Sequence, residues 1–208
     1  MRGKILVLLV CIAMLVGVLS GCTETKVEAN KLPKASFTYE PTTGIYVGTG
    51  INFTDTSTDA DGTIVSWNWT FGDEAIFAEQ NPLMHTYDTV GTYNVTLIVT
   101  DNDGTDSTPY SKFITVEFKP PNADFSYSPS VNITNATTIL FTDISIPGDA
   151  AINNWTWDFG DEGDMVYTQN ATYMYTAIGN YTVTLTVTDE NGKEDTKTAV
   201  EIEVIKAS

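Results

Sequence analysis

Ser66-Trp67-Asn68-Trp69-Thr70-Phe71-Gly72-Asp73 reads as a strand ending in a tight turn, and the chain writes it twice. Its second version, 88 positions later, is Asn154-Trp155-Thr156-Trp157-Asp158-Phe159-Gly160-Asp161. Trp67, Trp69 and Phe71 share one parity, so they project from the same face of one strand. Trp69 and Phe71 are candidates for an inter-sheet core, each ring removing roughly 150–250 Å² from water. At about 25 cal/mol/Å² that is several kcal/mol per ring before entropy. Gly72 then permits the turn. Outward from this stretch the match continues: residues 34–117 recur as 122–205, with Phe37/Phe125, Phe53/Phe141, Tyr87/Tyr175, Gly91/Gly179, Leu97/Leu185 and Gly104/Gly192 in step and no gap. A unit of this length is too long for a solenoid repeat and suits a small autonomous domain.

Within each copy the period is two. Tyr93, Val95, Leu97 and Val99 alternate with Asn94, Thr96, Ile98 and Thr100, as Tyr181, Val183, Leu185 and Val187 alternate with four threonines. One buried and one wet face explains this pattern. Further strands are expected at Ala35–Glu40, Ile51–Asp55, Ile64–Phe71 and Lys112–Glu117, with turns at Asp61-Gly62, Gly72-Asp73, Asn81-Pro82 and Asp103-Gly104. No helical spacing is found past the leader. About seven short strands per copy predict an all-β chain of two immunoglobulin-like antiparallel β-sandwiches in tandem.

Trp157-Asp158-Phe159-Gly160-Asp161 resembles, letter for letter, the WDFGD signature of PKD (polycystic kidney disease) domains. The first copy differs from it only at Thr70. His85-Thr86-Tyr87 followed by Gly91-Thr92-Tyr93-Asn94-Val95-Thr96-Leu97 resembles the family's H-x-Y…G-x-Y-x-V-x-L segment, with Tyr173 replacing the histidine in the second copy. Asp101–Gly104 is similar to its closing D-x-x-G turn. The resemblance implies an Ig-like sandwich, a surface or secreted location, and structural roles for Trp69, Phe71, Gly72, Asp73, Trp157, Phe159, Gly160 and Asp161.

The ends carry different information. Arg2 and Lys4 precede an uncharged apolar run, Ile5–Val18, too short for a confident membrane span and suited to a secretory leader. Leu19-Ser20-Gly21-Cys22 resembles a prokaryotic lipobox, which implies cleavage after residue 21 and lipidation of Cys22; an ordinary leader with an incidental cysteine is the alternative. Residues 22–33 are then a tether, 34–117 and 122–208 two domains, and 118–121 a linker stiffened by Pro120-Pro121. Cys11 and Cys22 are the only cysteines, so the processed chain has no disulfide. Its eight Lys and Arg face 27 Asp and Glu, a net charge near −19 (8 − 27). Such acidity argues against nucleic acid and against anionic headgroups, leaving the lipid as the membrane attachment.

The sharpest chemical candidate is a calcium site in the first copy. Ser57, Asp59 and Asp61 alternate in one loop and Asp73 follows the tryptophan strand; a hard cation wants six to eight oxygens. The PKD resemblance supports it, because collagenase-attached members bind calcium in the equivalent region. The same residues also form turns on their own backbone. In the second copy the set becomes Ser145, Pro147, Asp149 and Asp161, with one acid lost. Eight Asn-x-Thr sequons occur, at Asn52, Asn68, Asn94, Asn132, Asn135, Asn154, Asn170 and Asn180. Strand alternation generates such triplets by itself, and Asn94, Asn132, Asn135, Asn170 and Asn180 are the candidates for glycans. Tyr39, Tyr46, Tyr110, Tyr127 and Tyr167 are candidate sugar platforms. Catalysis has little to build on: one histidine, no free thiol, no phosphate loop. The expectation is a non-catalytic protein on the outer face of the cell membrane, binding a surface protein or glycan. A substrate-targeting accessory of an extracellular hydrolase and a passive spacer are the alternatives.

Overall fold

The computed structural model describes residues 28–82, 84–198 and 201–207. The leader, Cys22 and the first part of the tether lie outside them. Among the described residues there is no helix; fourteen strands make up the elements. Grouped by proximity, these residues form two compact units. One holds 28–40, 51–85 and 93–114, the other 41–50, 86–92 and everything from 115 onward.

In the first copy β1 (Phe37–Glu40) pairs antiparallel with β2 (Asn52–Asp55), Tyr39 opposite Phe53. The other sheet runs in the order β4 (Ile76–Phe77), β3 (Ile64–Thr70), β5 (Gly91–Asp101), β6 (Tyr110–Val116). Trp69 sits opposite both Phe77 and Leu97. The alternation read from sequence sorts side chains as expected: Val95, Leu97 and Val99 are fully buried, while their neighbours face outward. Phe37, Ile51, Phe53, Trp69, Phe71 and Ile114 complete that core. Phe37 meets Trp69 edge-on at 5.1 Å and Phe53 meets Phe71 edge-on at 5.0 Å. Such edge-to-face pairs suit the ring quadrupoles.

The second copy repeats this with finer segmentation. β8 (Ile139–Asp143) lies between β7 (Phe125–Ser128) and β10 (Ala171–Tyr173), and β12 (Thr184–Asp189) between β9 (Ile152–Asp158) and β13 (Glu194–Thr198). β11 (Gly179–Tyr181) pairs with β14 (Ile202–Val204). Trp157, Phe159, Phe141, Tyr175, Val183, Leu185 and Val187 form one buried cluster.

The copies are not in step throughout, contrary to the gapless expectation. Trp69 pairs with Phe77 but Trp157 with Val166, and their indole N–H groups reach the carbonyls of Glu79 and Thr168. The offset is therefore 89 across this loop and returns to 88 by His85 and Tyr173, which bridge Ile51 and Ile139. One residue is gained after the signature turn and one is lost before the next bridge.

Candidate functional site

The signature residues are consumed by the fold. Trp69 and Trp157 are buried, each stacked on the phenylalanine two residues on and held through its indole N–H. Gly72 and Gly160 take φ of 82° and 74°. A Cβ there would stand 2.8 Å from the Asn94 nitrogen or 2.5 Å from the Thr182 oxygen. Both conformation and space therefore require glycine. Trp67, of the same parity as Trp69, is only half-buried, because its N–H reaches out to Asp55 at 2.8 Å. Trp155 does the same to Asp143, also at 2.8 Å.

Asp55 and Asp143 anchor a network that sequence reading passes over. Each accepts the indole N–H on Oδ2 and the backbone N–H of Ser57 or Ser145 on Oδ1. Their own N–H groups donate to Asn81 and Asn170. The signal for it is an aspartate present in both copies, twelve residues ahead of an equally spaced tryptophan.

The four proposed calcium ligands are not gathered in one place. Asp59 and Asp61 precede β3 and Asp73 follows it; seven strand residues at about 3.3 Å each separate them by roughly 23 Å. Asp73 instead binds the His85 ring at 2.8 Å and caps the Ala75 N–H. In the second copy Asp161 accepts the Tyr173 hydroxyl at 2.7 Å. Burial and this carboxylate push the Tyr173 phenol up to about 12, and burial moves Tyr175 higher still. Ser57 spends its hydroxyl on Ser36, accepting from the nitrogen and donating to the carbonyl. Ser145 does the same with Asp124. Asp61 accepts the Lys31 N–H at 3.0 Å, and Asp149 the Lys119 N–H at 2.7 Å. Pro147 leaves no acid at the remaining position. Asp59 keeps one oxygen buried against Gly62 with no hydrogen-bond partner among the described residues. No group of three or more His, Cys, Asp or Glu able to hold a metal ion occurs among those residues.

Through Lys31 and Lys119 the segments expected to be tether and linker are tied back onto the modules. Asn30 donates its side-chain amide to Asp101 at 2.8 Å and to Thr105 at 2.9 Å. Asp101 is thereby held below the usual carboxylate range, first by Asn30 and then by the Thr105 N–H. Segment 118–121 is tied by Lys119, and directly after it Asn122 and Ile146 exchange paired backbone bonds. Gly148 lies so close to the Lys119 and Pro120 carbonyls that no side chain fits.

Of the sequons, Asn52, Asn68, Asn94, Asn132, Asn154, Asn170 and Asn180 are exposed. Asn135 is half-buried, with its side-chain oxygen held by the Ala207 N–H. The Asn170 oxygen is taken by Asp143. Among the tyrosines only Tyr167 stands free of the core edge, at 67% exposure; Tyr39, Tyr46, Tyr110 and Tyr127 are half-buried. Lys112 lies over the rings of Phe37, Tyr39 and Tyr110 at 5.4, 5.6 and 6.0 Å. A cation at an inward-facing strand position, between Tyr110 and Ile114, is the sequence signal for that cage.

The profile of the PKD domain matches residues 30–116 and again 119–204. The chain is 31% identical over 153 residues to collagenase ColA of Clostridium perfringens, covering 71% of this chain and 14% of that one. It is 30% identical over 153 residues to the pre-pro-metalloprotease PrtV of Vibrio cholerae, 73% and 16% covered. Both relatives are thus several times longer than the matched region. The crystal structure of the PKD1 domain of Vibrio cholerae PrtV is 33% identical, with a TM-score of 0.37, over 42% of this chain and 99% of that domain.

Proposed function

The chain belongs to the PKD domain family, and from that premise we propose that it is an exported, non-catalytic module pair that holds a protein partner at the cell surface. The observation that carries this reading is the use to which the residues repeated in both copies are put. The tryptophans, glycines, Asp73, Asp161 and Asp55 all close on neighbours within the fold. What is left for function is surface, as in a binding module. A protein partner is favoured over a glycan on two grounds. The relatives that share the tandem modules are named as a collagenase and a metalloprotease. Three of the five candidate tyrosines, Tyr39, Tyr110 and Tyr127, each pack on a core aromatic ring and so do not stand together as free rings for a sugar.

Export follows from the leader and those relatives, and attachment from a lipid on Cys22. The second reading, an accessory that brings a hydrolase to its substrate, draws on the same relatives. Cross-linking the full chain on intact source cells, beside Cys22→Ala, tests both. The expected result is one recurrent surface protein captured by the wild type and loss of the Cys22→Ala variant to the medium. Retention of Cys22→Ala on the membrane would remove the lipid anchor. Recovery of an extracellular hydrolase would favour the accessory role.

A further inference from the structure

We propose that the second module carries a pocket for a lysine side chain presented by a protein partner. In the first module the aromatic edge formed by Phe37, Tyr39 and Tyr110 is filled from within, by the Lys112 ammonium. The second module keeps Phe125 and Tyr127 in place of Phe37 and Tyr39, with Tyr127 packed on Phe141 at 5.8 Å. It does not keep the cation. By the 88-residue offset Lys112 becomes Val200, which lies outside the described residues, and Tyr110 becomes Thr198. Two outward positions on the same strand change in the opposite sense: Phe113 becomes Glu201 and Thr115 becomes Glu203.

Beside Tyr127 a cavity of about 310 Å³ opens, lined by Tyr127, Asn132, Ile133, Glu201, Ile202 and Glu203 among others, and no lysine or arginine among the described residues lines it. Its size is at the lower end for a ligand site and suits one alkyl chain. An aromatic face attracts an ammonium through the ring quadrupole. Ile133 and Ile202, which belong to the buried core, line the cavity together with Glu201 and Glu203, whose carboxylates supply the matching charge. The first module supplies the precedent within the same chain, an ammonium over the ring of the equivalent tyrosine. The net charge of −17 adds long-range attraction for a basic partner.

This assignment rests on the reading of the chain as a protein-binding module, yet the test isolates the pocket. The probe is Nα-acetyl-lysine-N-methylamide, titrated into the full chain while backbone amide NMR shifts are followed. The expected result is saturable shifts confined to Tyr127, Asn132, Ile133 and residues 201–203, and none with the Nε-acetylated form. The paired change Glu201→Gln with Glu203→Gln, both at exposed positions, should weaken binding about tenfold, and Tyr127→Leu about fivefold. Shifts that never saturate and spread over acidic residues of both modules would mean unspecific attraction and overturn the pocket. An equal response to the acetylated probe, or indifference to the glutamate changes, would overturn it too. Either failure leaves the cross-linking result untouched, so the two readings fall separately.

Discussion

At the scale of single residues, the signature glycines Gly72 and Gly160 agree between the copies because backbone geometry leaves no alternative. Gly160 combines a left-handed φ with a Thr182 carbonyl where a Cβ would sit. Gly160→Ala should therefore destabilise the second module by about 2–4 kcal/mol, more than strain in φ alone, since backbone must move. Chemical denaturation followed by tryptophan fluorescence would measure it. Trp67→Phe is a gentler probe. It keeps an aromatic ring but removes the 2.8 Å bond to Asp55, and a hydrogen bond to a charged group is worth about 1.5–3 kcal/mol. The loss should be near the low end, because the aspartate stays in reach of water. A loss as large as that of Trp69→Ala, for which about 3–5 kcal/mol is expected, would mean that Trp67 packs in the core after all.

Elements show how much is legible beforehand. Alternation in 93–100 and 181–188 locates β5 and β12 because burial on one face imposes period two on any such strand. The interruption between β11 and β12 leaves no mark in the pattern, since Val183 stays buried through it. The slip between Phe77 and Val166 leaves only a short mark, Gln80-Asn81 recurring as Gln169-Asn170 at an offset of 89. The residue gained before this stretch and the one lost after it cancel in the overall offset. The strap at Asn30 and Lys31 is unreadable for another reason. Its bonds use a main-chain N–H group and one side-chain amide, and these impose no periodicity. The calcium set divides at this scale too: sequence nearness groups Asp73 with Asp59 and Asp61, and the strand between them carries it away.

Two pH predictions belong to these elements. Asp101, held low by Asn30, contributes stability that is present above its ordinary value of 3.8 and lost as pH falls through the lower folded value. Asn30→Ala should raise the Asp101 titration midpoint in carboxyl-carbon NMR and bring acid unfolding to higher pH. Tyr173 runs the other way. Its neutral phenol is favoured in the folded state, so its contribution is intact below 10.0 and lost as pH climbs toward about 12. Alkaline titration should show late, cooperative ionisation of Tyr173 together with unfolding of its module. An early, independent phenolate signal from Tyr173 would contradict the Asp161 contact.

For the whole molecule, acidic charge is the largest force left unbalanced. Ten Lys and Arg against 27 Asp and Glu give −17 over 208 residues, and the folded state holds those carboxylates closer together than the unfolded chain does. Monovalent salt, with a screening length of about 10 Å at 0.1 M, should raise the thermal midpoint and then level off. The same experiment separates screening from a bound cation. With the proposed ligands divided between the two ends of β3, calcium and magnesium at matched ionic strength should give equal shifts. A calcium-specific rise that Asp59→Asn abolishes would instead place a cation in the 57–62 loop, where the unpartnered Asp59 oxygen already lies. In that case Asp73→Asn should leave the calcium effect intact, because Asp73 is engaged with His85 at the far end of the strand.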